Sequence, residues 1–259
     1  VEEKLLEETD YGLELKRGTE IADSCGSLEN IYFPKYYAEY SNKKVITMDY
    51  IQGLHLKEYL ATNPSQDEKN QVAQALWDFY EFQLHELKSI HADPHPGNFL
   101  FDGNGRVGVI DFGCIKEVPS DFYLHYFPLL IPEIQYEHEV IDELLRNIEI
   151  VFDADTNEVK QELTEAFLKM TKLLSRPFQT DEFHFTQEFL DEISPVGDEL
   201  YKIPEVNKPT QPRGRKHALY VNRTYFGIYS MMADLNATIV NGEMAWRNNL
   251  KEKWLNSQI

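Results

Sequence analysis

Three side chains in the stretch HADPHPGNFLFDGNGRVGVIDFG, residues 91–113, have the types and spacing for metal-assisted chemistry: Asp93, Asn98 and Asp111. NFLF and RVGVID read as two short strands, and DGNG between them reads as a tight turn. Asp93 precedes the first strand and Asp111 follows the second, so antiparallel pairing returns both carboxylates to one edge, where Asn98 also lies. Loops on a rigid scaffold are where catalytic groups tend to sit. Two carboxylates and a carboxamide converging in an open cleft are hard oxygen ligands. They suit Mg²⁺, which keeps waters and is often shared with substrate phosphates. The chemistry this set serves is phosphoryl transfer: one aspartate positions the nucleophile, while the asparagine and the other aspartate hold metal on the phosphates.

Stepping outward, the elements that must position these groups are legible from periodicity. Charged residues with Leu5, Leu6, Leu13, Leu15 and Ile21 as apolar positions suit a surface-facing helix from Glu2 to about Ala22, its continuity weakened by Gly12 and Gly18. IYFPKYYAEYS and KKVITMDYI, on either side of Asn42, read as an antiparallel hairpin ended by Gly53. LHLKEYL is a short helix. After a loop in which Ser65 can cap, DEKNQVAQALWDFYEFQLHELKSI forms a long amphipathic helix with Val72, Ala75, Leu76, Phe79, Phe82 and Leu87 on its apolar row. Beyond Val118 strand signals nearly vanish. Helices are expected over about 119–135, 137–150, 158–175, 186–201 and 215–241, with a short one near the end, and a Pro- and Gly-rich loop runs from Ile193 to Lys216. The fold class expected is α+β, a small sheet remnant followed by a mostly helical body.

The chain has 259 residues, 42% hydrophobic and 13% aromatic, enough for a substantial core in one large domain or two small ones. Its 25 Lys and Arg against 44 Asp and Glu give a formal charge of -19, a surface that repels phosphate backbones and anionic headgroups, so nucleic acid is excluded as an expected partner. The basic run PRGRKH, Pro212 to His217, reads as a helix start or solvated loop. Two cysteines, Cys25 and Cys114, are too few for a disulfide framework and point to a reducing, cytoplasmic setting. No apolar run reaches the roughly 20 residues of a spanning helix.

Two further features agree with phosphoryl transfer. Asn98 follows Asp93 by five residues, the kinase spacing, and DFG stands intact at Asp111, Phe112 and Gly113. ITMDYIQG fits a linker between two lobes, with Met48 flanking an adenine pocket and the Asp49 carbonyl and Ile51 amide bonding the adenine edge. His91 and His95, four apart, invite a zinc reading, but the Asp-Pro and His-Pro bonds between them break the helix such a pair needs. His91 instead braces the loop, and His95 approaches the phosphates. Cys114 reads as a small buried hydrophobe, Lys116 as solvated, and the series Phe122, Tyr123, Tyr126 and Phe127 as core.

HADPHPGN, with its second histidine and Pro-Gly, resembles the UbiB-type (AarF-like) atypical kinase family. EETDYGLE resembles that family's E-x-D segment, and RKHALYVNRTYFGIYSMMADLNA its late C-terminal helix, so the likeness runs from about Glu7 to Ala237. The resemblance implies a protein-kinase-like fold, with residues 1–52 as a partial N-lobe and 53–259 as a helical C-lobe. It implies ATP and Mg²⁺ as cofactors and a link to ubiquinone-type isoprenoid quinone metabolism, with isoprenoid-lipid or membrane-associated quinone-pathway partners and a peripheral membrane location. By that resemblance Asp93 is the catalytic-loop aspartate supported by His91. Asn98 and Asp111 are the metal ligands. Glu8 and Asp10 are the motif acids, and Glu14 is the helix glutamate that pairs with a nucleotide-lobe lysine.

The family's alanine-rich nucleotide loop, strand lysine and K-x-G-Q segment precede this helix and are not in the sequence, which also opens without methionine. The chain is therefore expected to be the back part of a longer enzyme that alone binds Mg-ATP weakly and turns it over slowly, since a site without those groups loses electrostatic preorganisation. The other readings are a non-catalytic kinase-like nucleotide-binding scaffold and a small-molecule phosphotransferase of the aminoglycoside or choline kinase type.

Overall fold

Asp10 starts the first helix, α1 (Tyr11–Cys25), by accepting the Gly12 amide at 3.1 Å. The computed structural model describes residues 10–208 and 212–256. α1 buries Gly18, Ile21 and Cys25 along one face. Neither glycine interrupts it: a Cβ on Gly18 would stand 2.7 Å from the Tyr36 hydroxyl, so the small residue lets that ring sit against the helix.

The hairpin expected around Asn42 is only partly formed. Tyr36 pairs antiparallel with Met48 and Asn42 with Val45, and the Asp49 amide donates to the Lys35 carbonyl at 2.9 Å. However, Pro34 offers no donor and a 3₁₀ turn at Ala38–Tyr40 lifts the chain out of the ladder. The first part, β1 (Ile31–Tyr32), pairs instead in parallel with a later strand.

α2 (Leu56–Ala61) forms as read. α3 (Gln66–Phe82) begins with the Ser65 hydroxyl accepting the Glu68 amide. The periodicity predicted this helix through Ile90, and it stops earlier. A π-helical turn at Gln83–Leu87 is followed by Lys88 at φ 52°, and then by β2 (Ser89–His91). Ile90 and His91 are fully buried in that strand, so tertiary burial outweighs the local helical pattern.

β3 (Phe99–Phe101) and β4 (Val107–Val109) pair antiparallel with Phe99 opposite Val109, and the sheet order is β1-β4-β3. DGNG turns through Gly103 and Gly105 at φ 75° and 79°, conformations costly for any side chain. Asp102 accepts the amides of Asn104 and Arg106 across the turn. β5 (Ile115–Glu117) pairs antiparallel with β2, His91 opposite Ile115.

The described residues divide into two compact units, one running to Glu117 with Phe226–Ile239 added, the other comprising Val118–Tyr225 and the residues from Val240. The lobe boundary expected after Gln52 falls inside the first unit. The second unit is helical: α4 (Ser120–Tyr126), α5 (His138–Asn147), α6 (Asn157–Leu174), α7 (Gln187–Lys202) and the first half of α8 (Lys216–Leu235), with α9 (Ala245–Asn256) last. The single helix expected over 119–135 is broken into α4 and 3₁₀ turns at Phe127–Leu130 and Ile134–Tyr136, because Pro128 and Pro132 cannot donate. The loop expected from Ile193 begins only after Lys202: α7 continues through Pro195. Two short strands not expected here occur at Glu182–His184 (β6) and Thr238–Val240 (β7). Phe122, Tyr123, Tyr126 and Phe127 are all buried, core as read. Among the described residues no helix is long and apolar enough to cross a membrane.

Candidate active site

The site is assembled in the first unit from the ends of β2 to β5 and from α1. β2 delivers His91, fully buried. Its backbone amide donates to Gln83 Oε1 at 2.9 Å, and its ring Nε2 lies 2.5 Å from the Asp111 carbonyl. A carbonyl only accepts, so Nε2 carries the proton. Nδ1 then faces the Tyr80 hydroxyl at 3.5 Å. Burial pushes the imidazole below its ordinary pKa, which keeps the ring neutral and this tautomer in place. His91, read from sequence among the catalytic groups, thus holds the backbone at Asp111 and has no path to solvent; it positions.

The next residues form a tight knot. The Ala92 amide reaches the Cys114 carbonyl at 2.8 Å, so the chain before Asp93 is pinned to the chain after DFG. The Asp93 carbonyl accepts the His95 amide at 2.7 Å and the Asn98 side-chain amide at 2.9 Å. Asn98 Nδ2 also lies 3.5 Å from Asp93 Oδ2. Those two oxygens fix the carboxamide orientation, leaving Asn98 Oδ1 as the outward acceptor. The Asn98 carbonyl takes the Ile110 amide at 3.1 Å, directly before Asp111. Asp93, Asn98 and Asp111 therefore return to one edge.

Asp111 is exposed, with one oxygen accepting the Gly113 amide at 2.8 Å and the other without a hydrogen-bond partner among the described residues. Phe112 is fully buried against the rings of His91 and Phe33, centroids 5.7 and 5.9 Å away. α1 reaches the same turn twice: Glu14 accepts the Phe112 amide, and Arg17 donates to the Gly113 carbonyl at 3.2 Å. Burial, and then the Asp111 charge, raise the Glu14 carboxyl above the ordinary glutamate range, while the Phe112 amide opposes them. Beside them the Tyr36 hydroxyl is buried without a hydrogen-bond partner among the described residues. Burial, Glu14 and Asp111 all raise its pKa.

The other sequence-read positions are more scattered. Met48 is half-buried beside Tyr36, Asp49 is exposed with its carboxylate accepting the Tyr37 hydroxyl, and Ile51 is buried. Among the described residues the Asp49 carbonyl and Ile51 amide make no hydrogen bond. Gly53, read as a turn residue, instead allows close approach to β3: a Cβ there would lie 2.9 Å from Leu100 Cβ. Asp10 caps α1 and lies 3.7 Å from Lys43 Nζ. Glu8 lies outside the described residues. His95 is exposed and accepts the Gly97 amide at 3.0 Å. Cys114, read as buried, is half-exposed, and Lys116 sits half-buried in β5.

Sequence reasoning missed Gln83, Tyr80 and Arg17, because each lies on an ordinary helical stretch with no local mark. It also missed Gly227 on α8, whose missing Cβ makes room for the ring of Pro94.

The family described as the ABC1 atypical kinase-like domain matches residues 1–145. An uncharacterized chloroplastic aarF domain-containing protein kinase of Arabidopsis thaliana is 34% identical over 113 residues, 44% of this chain and 15% of that protein. AarF domain-containing protein kinase 1 of Xenopus tropicalis is 31% identical over 129 residues, 47% of this chain and 24% of that protein. A probable serine/threonine-protein kinase of Dictyostelium discoideum is 23% identical over 188 residues, 68% of this chain and 33% of the relative. The matched chain thus spans a third or less of these relatives. In fold, the chain is similar to Rv3197 of Mycobacterium tuberculosis, solved with erythromycin, at a TM-score of 0.68 and 18% identity, over 96% of this chain and 58% of that one. The mixed helix-and-sheet architecture is kinase-like. With its HADPHPGN loop, its DFG turn and the match over more than half its length, the chain belongs to the ABC1 (UbiB/AarF-type) atypical kinase-like family.

Proposed function

We propose that this chain carries the metal and catalytic half of an ATP- and Mg²⁺-dependent phosphotransferase or ATPase. One observation carries the reading: Asp93, Asn98 and Asp111 meet at one edge, and among the described residues Asn98 and Asp111 each keep a side-chain oxygen after their structural hydrogen bonds. The donor set is two hard oxygens from Asn98 and Asp111. Among the described residues no group of three or more His, Cys, Asp or Glu is arranged to hold a metal. Such a sparse oxygen set fits Mg²⁺, which completes its octahedron with water and phosphate, and does not fit zinc.

Asn98 and Asp111 would hold Mg²⁺, which when bound would supply neutralisation of the charge on the phosphates. Asp93 orients the attacking hydroxyl or water and accepts its proton. His91 keeps the Asp111 backbone fixed. Glu14, kept near that turn by the Phe112 amide, is available to a lysine from the nucleotide lobe. The Asp49 carbonyl and Ile51 amide offer an acceptor and a donor for an adenine edge beside Met48; resemblance to the family assigns Asp10, Glu8 and His95 to nucleotide binding. Resemblance to the family ties the protein to isoprenoid quinone metabolism, with lipid or membrane-associated partners, and names no acceptor.

The test is calorimetry with a non-hydrolysable ATP analogue, with and without Mg²⁺, on the full-length protein and its Asp111→Asn variant. Wild type is expected to bind more tightly with Mg²⁺, and the variant to lose that increment. Equal, metal-independent binding in both would overturn the metal role.

A further inference from the structure

We infer that Gln83 is a positioning residue for Asp111, acting through His91, and that the π-helical turn Gln83–Leu87 exists to place it. The inference deepens the proposed reading and rests on it for the role of Asp111.

In an antiparallel ladder successive amides point to opposite sides. The Ala92 amide points to β5, where it meets the Cys114 carbonyl, so the His91 amide points away. Among the described residues β2 has no strand on that side. A buried amide left without a partner forfeits its hydration and is destabilising. The Gln83 side chain fills the place of the absent strand: fully buried, it accepts the His91 amide at 2.9 Å and returns its own amide to the Phe79 carbonyl at 3.2 Å. One helical turn earlier, Tyr80 meets the same histidine's Nδ1.

π turns inside helices are rare, and they often sit at functional sites. This one separates α3 from β2 and is closed by Lys88 in the left-handed region, at φ 52°. The outcome is a relay of two fixed links, Gln83 to the His91 backbone and the His91 ring to the Asp111 carbonyl, behind the carboxylate that would hold the metal. Polar groups behind a metal ligand typically change metal affinity 10- to 100-fold when removed.

The variant is Gln83→Met, similar in length and without polar atoms, in the full-length protein. Two readouts apply. The first is the NMR resonance of the His91 Nε2 proton without nucleotide, expected to shift or broaden as the ring loses its hold on the Asp111 carbonyl. The second is the Mg²⁺ half-saturation for binding of the ATP analogue, expected to rise about 10-fold or more. Val72→Ala, a buried position on α3 away from the site, serves as the control: it is expected to lower stability and move neither readout.

An unchanged ring proton overturns the inference, and so does an unchanged Mg²⁺ half-saturation in a variant whose ring proton has moved. If Gln83→Met does not fold, Gln83→Glu keeps the acceptor for the His91 amide. Its ring proton should then match wild type, and a displaced one overturns the relay. Wild-type protein that binds no nucleotide would sink the proposed function instead, with the ring-proton comparison still reading the Gln83 link.

Discussion

Gly227→Ala offers a sharp separation of two opposing effects. Gly227 lies inside α8, where alanine is favoured over glycine by about 1 kcal/mol when there is room. There is none. A Cβ at 227 would stand 2.3 Å from Pro94 Cγ and 3.1 Å from the Pro94 carbonyl oxygen. Carbon atoms settle about 3.5–4.0 Å apart, so Cγ must retreat by about 1.2 Å or more, and a change of ring pucker leaves the close approaches of Pro94 Cβ and the Pro94 carbonyl oxygen in place. Overpacking of this kind costs about 1–3 kcal/mol. Against the helix gain, the net is destabilisation of roughly 0–2 kcal/mol, a fall in melting temperature of up to about 8 °C. The larger effect falls on function, because Pro94 sits between Asp93 and His95. A displacement of about 1 Å in a catalytic group can cost on the order of 100-fold in rate. The comparison is Gly197→Ala on α7, whose Cβ would meet nothing nearer than Met170 Cε at 3.6 Å. That variant is expected to gain about 1 kcal/mol and leave the site alone. The assays are thermal melting, amide exchange of the loop from Asp93 to Asn98, and turnover of Mg-ATP by the full-length protein. If Gly227→Ala gains the same stability as Gly197→Ala with unchanged loop exchange and turnover, the buttressing argument is wrong.

Other outcomes follow from the same geometry. Asp111→Asn removes a charge that raises the Glu14 pKa, so carboxyl NMR should show Glu14 titrating lower in the variant; an unmoved titration would refute the coupling. Because the folded pKa of Glu14 lies above its unfolded value, its contribution to stability is fully present below the ordinary glutamate range and lost as pH rises through the folded pKa. Glu14→Gln should flatten that part of the stability-versus-pH curve measured by denaturant titration. Tyr36→Phe deletes a buried hydroxyl that has no partner among the described residues and should stabilise the unliganded protein by about 1 kcal/mol in the same assay; destabilisation would reveal a partner for it.

What the sequence by itself determined is what depends on near neighbours. The two glycines of DGNG at positive φ force the chain back on itself, and alternation in NFLF and RVGV sets the register. Asp93, Asn98 and Asp111 then meet wherever that hairpin folds. The cap at Ser65 and the aromatic core of α4 were legible for the same reason, whereas the cap at Asp10 was not, the periodicity placing that residue inside a helix. What tertiary structure decided is what depends on distant partners. HELKSI reads as a helix by period, yet Ile90 and His91 become a strand because β5 supplies a ladder and the core buries both. IYF reads as half a hairpin, yet Ile31 pairs with Val107. Gln83 and Gly227 carry no local mark, since one looks like any polar helical residue and the other like a weak spot. Only when His91 and Pro94 arrive from elsewhere in the chain does each acquire a role, through a hydrogen bond in one case and missing volume in the other.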